Sequence, residues 1–200
     1  MLTIERRQFL AERIEEAAKI QPEILDLRKI LLLIGGAELV APPRPDPDIA
    51  TFIADGSRIC GPARLKLMTR GACHENAAKL WLRGCGVCGI GTGYALSDDG
   101  LWRQHSWAMG SDGVIIETTE LRSEYFGRVL RELEADMFAC SNLSNQKELH
   151  RAFRTGTRRL KQYADLNPIE LLASDPTSVA LAAKVRAEMD RNAATTLLAK

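Results

Sequence analysis

The heptapeptide Arg70-Gly71-Ala72-Cys73-His74-Glu75-Asn76 sets a cysteine where a glycine-containing loop turns into a helix. Amides at a helix N-terminus lack intrahelical acceptors and carry partial positive charge. A thiol placed there ionises more readily, so its nucleophilic form is populated near neutral pH. The same amides can hold an oxyanion forming on a carbonyl substrate. An isolated cysteine is more often a small buried hydrophobe. Cys73 gains chemical meaning only if an imidazole reaches it.

That imidazole is expected on the strand pair downstream. The stretch 101–110 carries Trp102, Gln104, His105 and Trp107, and the stretch 114–119 carries Glu117. With 111–113 as a three-residue loop, Gly110 pairs with Val114 and Trp107 with Glu117. Alternation then puts His105, Trp107 and Glu117 on one sheet face. His105 and Glu117 become diagonal neighbours, roughly 7–8 Å apart at Cα. A four-residue loop would send Glu117 to the opposite face. In the first register Glu117 accepts from one imidazole nitrogen and leaves the other for a thiol. His74 points about 100° around the helix from Cys73, which suits capping or lining the groove better than acting as its base. Glu75 and Asn76 are expected to reach back to first-turn amides. His74, Asn76, Gln104 and Trp107 together are the candidates for groove or oxyanion support.

A cysteine at a helix start, a histidine on a strand and an acid on the next strand resembles the papain-like group in its transglutaminase-like form. The 70–76 motif is also similar to the cysteine motif of arylamine N-acetyltransferases, which share that core. The resemblance covers about Arg70 to Thr119, a quarter of the chain. It implies Cys73 as nucleophile, His105 as general base and acid, and Glu117 as orienting acid. It further implies thiolate attack on an amide, peptide or thioester carbonyl, an acyl-enzyme, and transfer to water or an amine, with no cofactor. The family usually has Asp or Asn at the third position, where this chain has Glu117. The flanking helices carry no resemblance, so neither substrate nor the choice between hydrolysis and transfer follows from it.

Other motifs compete with this reading. Cys85-Gly86-Val87-Cys88 is a single C-x-x-C, and Cys73 with His74 would complete a closed Cys₃His zinc site. The alternative function is therefore a noncatalytic binding module, with a structural zinc at Cys85 and Cys88. The leading reading needs no metal. Gly89-x-Gly91-x-Gly93 leads into a strand, not the helix that would bind a dinucleotide pyrophosphate. Cys60 and Cys140 read as packing residues. His150, Arg151, Arg154, Arg158, Arg159 and Lys161 read as a solvated basic helix face.

Several elements must position these residues. The 200-residue chain is 46% hydrophobic and 26% charged, which suits a folded protein with one core. A net charge of +1 gives no electrostatic case for nucleic acid. The longest apolar run, Ile30 to Ala37, falls far short of the ~20 residues that span a bilayer. The first residues lack the apolar region of a secretory leader, and five cysteines suit a reducing compartment. The expectation is a cytoplasmic protein taking a peptide, protein or small-molecule acyl substrate, without nucleic-acid or membrane partners. Its oligomeric state stays open. Helices are expected at 3–20, 22–34 and 73–83, strands within 86–119, and helices at 123–138, 145–163 and 177–198. Four prolines between 41 and 47 enforce an extended segment. The fold class is α+β: a small antiparallel sheet with the nucleophile at a helix N-terminus, in a papain- or transglutaminase-like core with flanking helices at both ends. The expected organisation is an N-terminal helical hairpin at 1–40, a core at 48–165 and a C-terminal helical extension at 166–200, all in one compact unit.

Overall fold

The computed structural model describes residues 3–150 apart from 85, 146 and 149. Of the helix expected at 145–163 only residues up to His150 are described, and the basic stretch that follows His150, the helix expected at 177–198 and the boundary at 165/166 lie outside the described residues. Within them the fold is α+β, with five helices and a seven-stranded open sheet.

The chain opens with two amphipathic helices, α1 (Ile4–Ala18) and α2 (Ile24–Ile34). Thr3 caps α1, its hydroxyl accepting from the Arg6 amide at 3.2 Å. Leu10, Ile14, Ile24, Leu27 and Leu31 form the buried stripe. This hairpin shares a core with the sheet, through Tyr94, Leu96, Trp102 and Phe126. The proline-rich segment is strapped down at Asp46. Its carboxylate accepts from the Tyr94 hydroxyl at 2.9 Å, and its backbone exchanges two hydrogen bonds with the Gln21 side chain. A short strand β1 (Glu38–Leu39) and helix α3 (Ile49–Asp55) flank that strap.

The remaining strands are β2 (Ser57–Arg58), β3 (Ala63–Leu65), β4 (Val87–Leu96), β5 (Leu101–Gly110), β6 (Ile115–Glu117) and β7 (Glu124–Leu130). Helix α4 (Cys73–Arg83) precedes β4, and α5 (Glu132–Asn142) follows β7. The order across the sheet is β2-β7-β4-β5-β6-β3, with β1 added in parallel to β5. A flat sheet would hold β2 and β3 about 24 Å apart, five spacings of ~4.8 Å. The link from Arg58 to Ala63 spans at most ~18 Å when extended. The sheet therefore curls. Its concave face holds Ala95, Trp107, Ile115 and Tyr125, with Ile59 from the crossing link packed on them. The convex face takes the helices: Leu80 of α4 meets Ala108 and Ile116, and Ala77, Ala78 and Trp81 pack with Ile90 and α5.

One expected helix is corrected. The segment 123–138 begins as strand β7 and becomes helical only at α5. Tyr125, Phe126, Val129 and Leu130 imitate helical spacing, but a strand buried on both faces produces the same pattern. Gly127 is the discriminating residue. It pairs with Gly93 on β4 at φ near 150° for both, and a Cβ on either would collide with the opposing backbone. The sheet is correspondingly larger than the small one expected within 86–119, because β1, β2 and β3 are too short to show a period. No helix among the described residues is long and apolar enough to cross a membrane.

Candidate active site

Helix α4 starts at Cys73, with Ala72 as an N-cap that offers no side-chain acceptor. The first helical hydrogen bond runs from the Asn76 amide to the Ala72 carbonyl at 2.8 Å. The amides of Cys73, His74 and Glu75 thus have no helical acceptor, and no capping side chain claims them. At its other end the helix closes on Gly84, in the left-handed conformation.

The N-terminus of α4 meets the sheet where β5 has an open edge. β1 pairs with β5 at Leu101 and Trp102, and β6 pairs with it at Ala108 and Met109. Between those contacts the backbone groups of Gln104 and Ser106 face the gap. The Ser106 and His74 amides both favour the ionised form of the Cys73 sulfur.

The hairpin register is that of a three-residue loop. Met109 lies opposite Ile115, Ala108 opposite Ile116, and the Gly110 amide donates to the Val114 carbonyl at 2.8 Å. Continuing one step sets Glu117 opposite Trp107 and diagonal to His105. The His105 Nε2 donates to Glu117, 2.9 Å from Oε2 and 3.1 Å from Oε1. Glu117 is fully buried and His105 only 2% exposed. The Thr118 amide gives the carboxylate a further donor at 3.3 Å. With Nε2 committed to Glu117, Nδ1 is the nitrogen left to face Cys73. Trp107 stacks on the imidazole, 6.1 Å between centroids and 25° between planes. Its ring crosses Gly91, where a Cβ would sit 2.0 Å from the indole nitrogen.

The charges follow from this geometry. Burial alone would push the Cys73 thiol up, but the hydrogen bond and positive charge of His105, with the Ser106 and His74 amides, bring it below its ordinary value. Burial alone would lower His105, but its bonds to Cys73 and Glu117 push it up to about 9. Each partner thus favours the charged form of the other, thiolate beside imidazolium. Burial, then the nearby His105 charge, pushes His74 down, so it stays neutral.

The supporting residues sit as follows. His74 Nδ1 is 2.7 Å from the Ser106 hydroxyl, which donates to Thr92 Oγ1 at 3.1 Å. That chain braces β5 at the residue whose amide faces the sulfur. Asn76 does not reach the first-turn amides. It is completely buried and its Nδ2 donates to the Thr69 carbonyl at 2.7 Å, with Thr118 Oγ1 at 3.4 Å, holding the approach loop to the end of β6. Gln104 pairs with Tyr94 and so lies on the opposite face of β5 from His105, half-buried. Glu75 pairs with Lys79 at 2.9 Å and accepts from the Ser144 hydroxyl at 2.8 Å.

Sequence reasoning missed two contributors. Ser106 acts through its backbone amide, which no residue type signals. Tyr125, on the same concave face, sets its buried hydroxyl beside Glu117. Burial and then that negative charge push the phenol far up and keep it protonated. The Cys88 thiol donates to the Gly110 carbonyl at 3.3 Å, and Cys85 lies outside the described residues. No group of three or more metal-ligating side chains is gathered among the described residues. Comparison of the chain with family models, curated proteins and solved structures finds no match.

Proposed function

We propose that this chain is a cysteine-dependent hydrolase or acyltransferase, built on a papain- or transglutaminase-like core. The observation that carries the reading is the His105 ring held 2.9 Å from a fully buried Glu117, the same imidazole whose proximity lowers the Cys73 thiol at the start of α4. In this reading the Cys73 thiolate attacks an amide, peptide or thioester carbonyl. The carbonyl π pair moves onto oxygen, which the partial positive charge at the start of α4 stabilises. The tetrahedral centre collapses as His105 Nδ1 gives its proton to the leaving amine or thiol, leaving an acyl-enzyme. Water or an amine then adds to the acyl carbon while His105 takes its proton, and the Cys73 thiolate departs. Glu117 holds the ring's orientation and its charge throughout.

The test is covalent labelling by a vinyl sulfone or activated ester, followed by intact mass. The wild-type chain is expected to take up one probe at Cys73, and Cys73→Ala none, with unchanged circular dichroism. A Cys73→Ala chain that retains full turnover of a substrate would end the cysteine mechanism. Failure of Cys73 to label faster at pH 6.5 than Cys140, whose thiol burial pushes up to about 11, would end the activated-thiol reading.

A further inference from the structure

The edge strand β3 combines three features that the cysteine chemistry does not use. It is the last strand of the sheet, paired only with β6 among the described residues. Its even-numbered side is occupied. The Ile115 amide donates to the Pro62 carbonyl at 2.8 Å, the Lys66 amide to the Glu117 carbonyl at 2.7 Å and the Met68 amide to the Thr118 carbonyl at 2.9 Å. Strand geometry then turns the amides and carbonyls of Ala63, Leu65 and Leu67 outward. All of residues 63–67 are exposed.

The two faces of this edge differ chemically. Towards α4, Arg64 and Lys66 join Arg83 around a cavity of about 260 Å³, floored by Leu80, Val87 and Ile116. The nearest acid to Arg64 is Asp112 at 3.8 Å, with both side chains more than half exposed, and Lys66 has no acidic partner among the described residues. On the other face Leu65 is 43% exposed and Leu67 71% exposed. Lysine and arginine on an edge strand ordinarily discourage pairing. Two exposed leucines alternating with them do the opposite, and together they read as a two-faced template.

We propose that β3 is a docking edge for an extended segment of a partner protein whose side chains alternate between apolar and acidic. The segment adds to the sheet as a further strand, its backbone bonded to Ala63, Leu65 and Leu67. Its apolar side chains lie on Leu65 and Leu67, and its carboxylates point to Arg64, Lys66 and Arg83 over the apolar floor. A one-residue slip would set carboxylates on leucine, so the alternation fixes the register. This docking is independent of the cysteine chemistry.

The experiment measures fluorescence anisotropy of labelled octapeptides against the full chain at 0.05 and 0.15 M salt. The alternating peptide acetyl-(Val-Glu)₄-amide is expected to bind, about tenfold or more tighter than its block isomer Val₄Glu₄, and more weakly at the higher salt. Methylating the backbone nitrogens on one edge of the alternating peptide is expected to remove binding, since it deletes the strand's donors. The double variant Arg64→Glu/Lys66→Glu is expected to lose that peptide and gain acetyl-(Val-Lys)₄-amide. Both changes are at exposed positions, and circular dichroism confirms the fold. Equal binding of the two isomers, or indifference to the N-methyl groups, would overturn the proposal. So would tight binding of a single-stranded oligonucleotide, lost in the same variant while the peptide never binds. Concentration-dependent dimerisation that the variant abolishes, with no peptide binding, would assign the edge to a second copy of the chain instead.

Discussion

Replacing Glu117 with Gln isolates the charge of the carboxylate, because the amide oxygen can still accept from His105 Nε2. The displacement of His105 from 6.5 to about 9 corresponds to ~3 kcal/mol at 1.36 kcal/mol per pH unit. Cys73 and Glu117 share in producing it, and burial works against both. Assigning the carboxylate about half gives ~1.5–2 kcal/mol, or roughly a 10- to 30-fold effect on any step that needs the imidazolium. Without the charge, burial governs the ring and lowers its proton affinity. Cys73 then loses its counter-ion, and its thiol rises towards or above the ordinary value of about 8.5. The assay is the rate of Cys73 alkylation by iodoacetamide between pH 5 and 10, read by intact mass. The wild-type rate is expected to rise at a pH below the ordinary thiol value, and the Glu117→Gln rate to rise about one unit or more later. At pH 6.5 the variant is expected to be about tenfold slower. An unmoved limb with less than about a twofold loss would refute the argument that Glu117 sustains the ion pair.

Further expectations follow from the same geometry and, for activity, from the cysteine mechanism proposed above. Turnover should be bell-shaped in pH, rising with the lowered Cys73 ionisation and falling through about 9 as His105 loses the proton it must donate; a rate still rising at pH 10 would contradict it. The order of activity loss should be Cys73→Ala and His105→Ala together, then Glu117→Gln, then His74→Ala, since nucleophile and base act as a unit; kcat/KM for each variant checks this. Gly91→Ala should cost about 2–3 kcal/mol, because its Cβ would lie 2.0 Å from the Trp107 indole nitrogen, and should weaken activity by displacing the ring stacked on His105; an unchanged Tm would exclude that packing. Arg28 holds the nearly buried Glu38 through two bonds of 2.6 Å, and Arg28→Met should cost about 2 kcal/mol at pH 7, reduced from a fully buried pair because Arg28 is partly exposed. Burial would raise the Glu38 carboxyl, but Arg28 and the Leu39 amide hold it below 4.5. That stabilisation is present above pH 4.5 and fades as pH falls through the lower folded value, so urea unfolding should show the two proteins converging in acid.

How far the site was legible depends on the range of the forces that build it. The start of α4 at Cys73 and its end at Gly84 are local events, written by a loop glycine, a helical pattern and a left-handed cap. The position of Glu117 opposite Trp107 follows from strict alternation once the loop has three residues; the sequence offered that register beside a four-residue alternative, and the fold adopts the first. The same local logic failed at Glu124–Leu130, because a strand buried on both sides has no polar face to reveal its period. It failed at Asn76 too, whose side chain answers to Thr69 and Thr118 and not to its own helix end.

The meeting of Cys73 with His105 belongs to tertiary structure alone. It requires β1 and β6 to part along one edge of β5, so that the end of α4 can enter between them and receive the Ser106 amide. Two-residue and three-residue strands decide that gap, and strands so short carry no periodic signal. The charge state is likewise tertiary. Burial pushes the thiol and the imidazole towards neutrality, and only their closeness in a water-poor notch, with Glu117 behind them, reverses both shifts. Residue order determined which groups were available and which faces they shared. The tertiary fold determined which of them came close enough to favour charge against the desolvation around them.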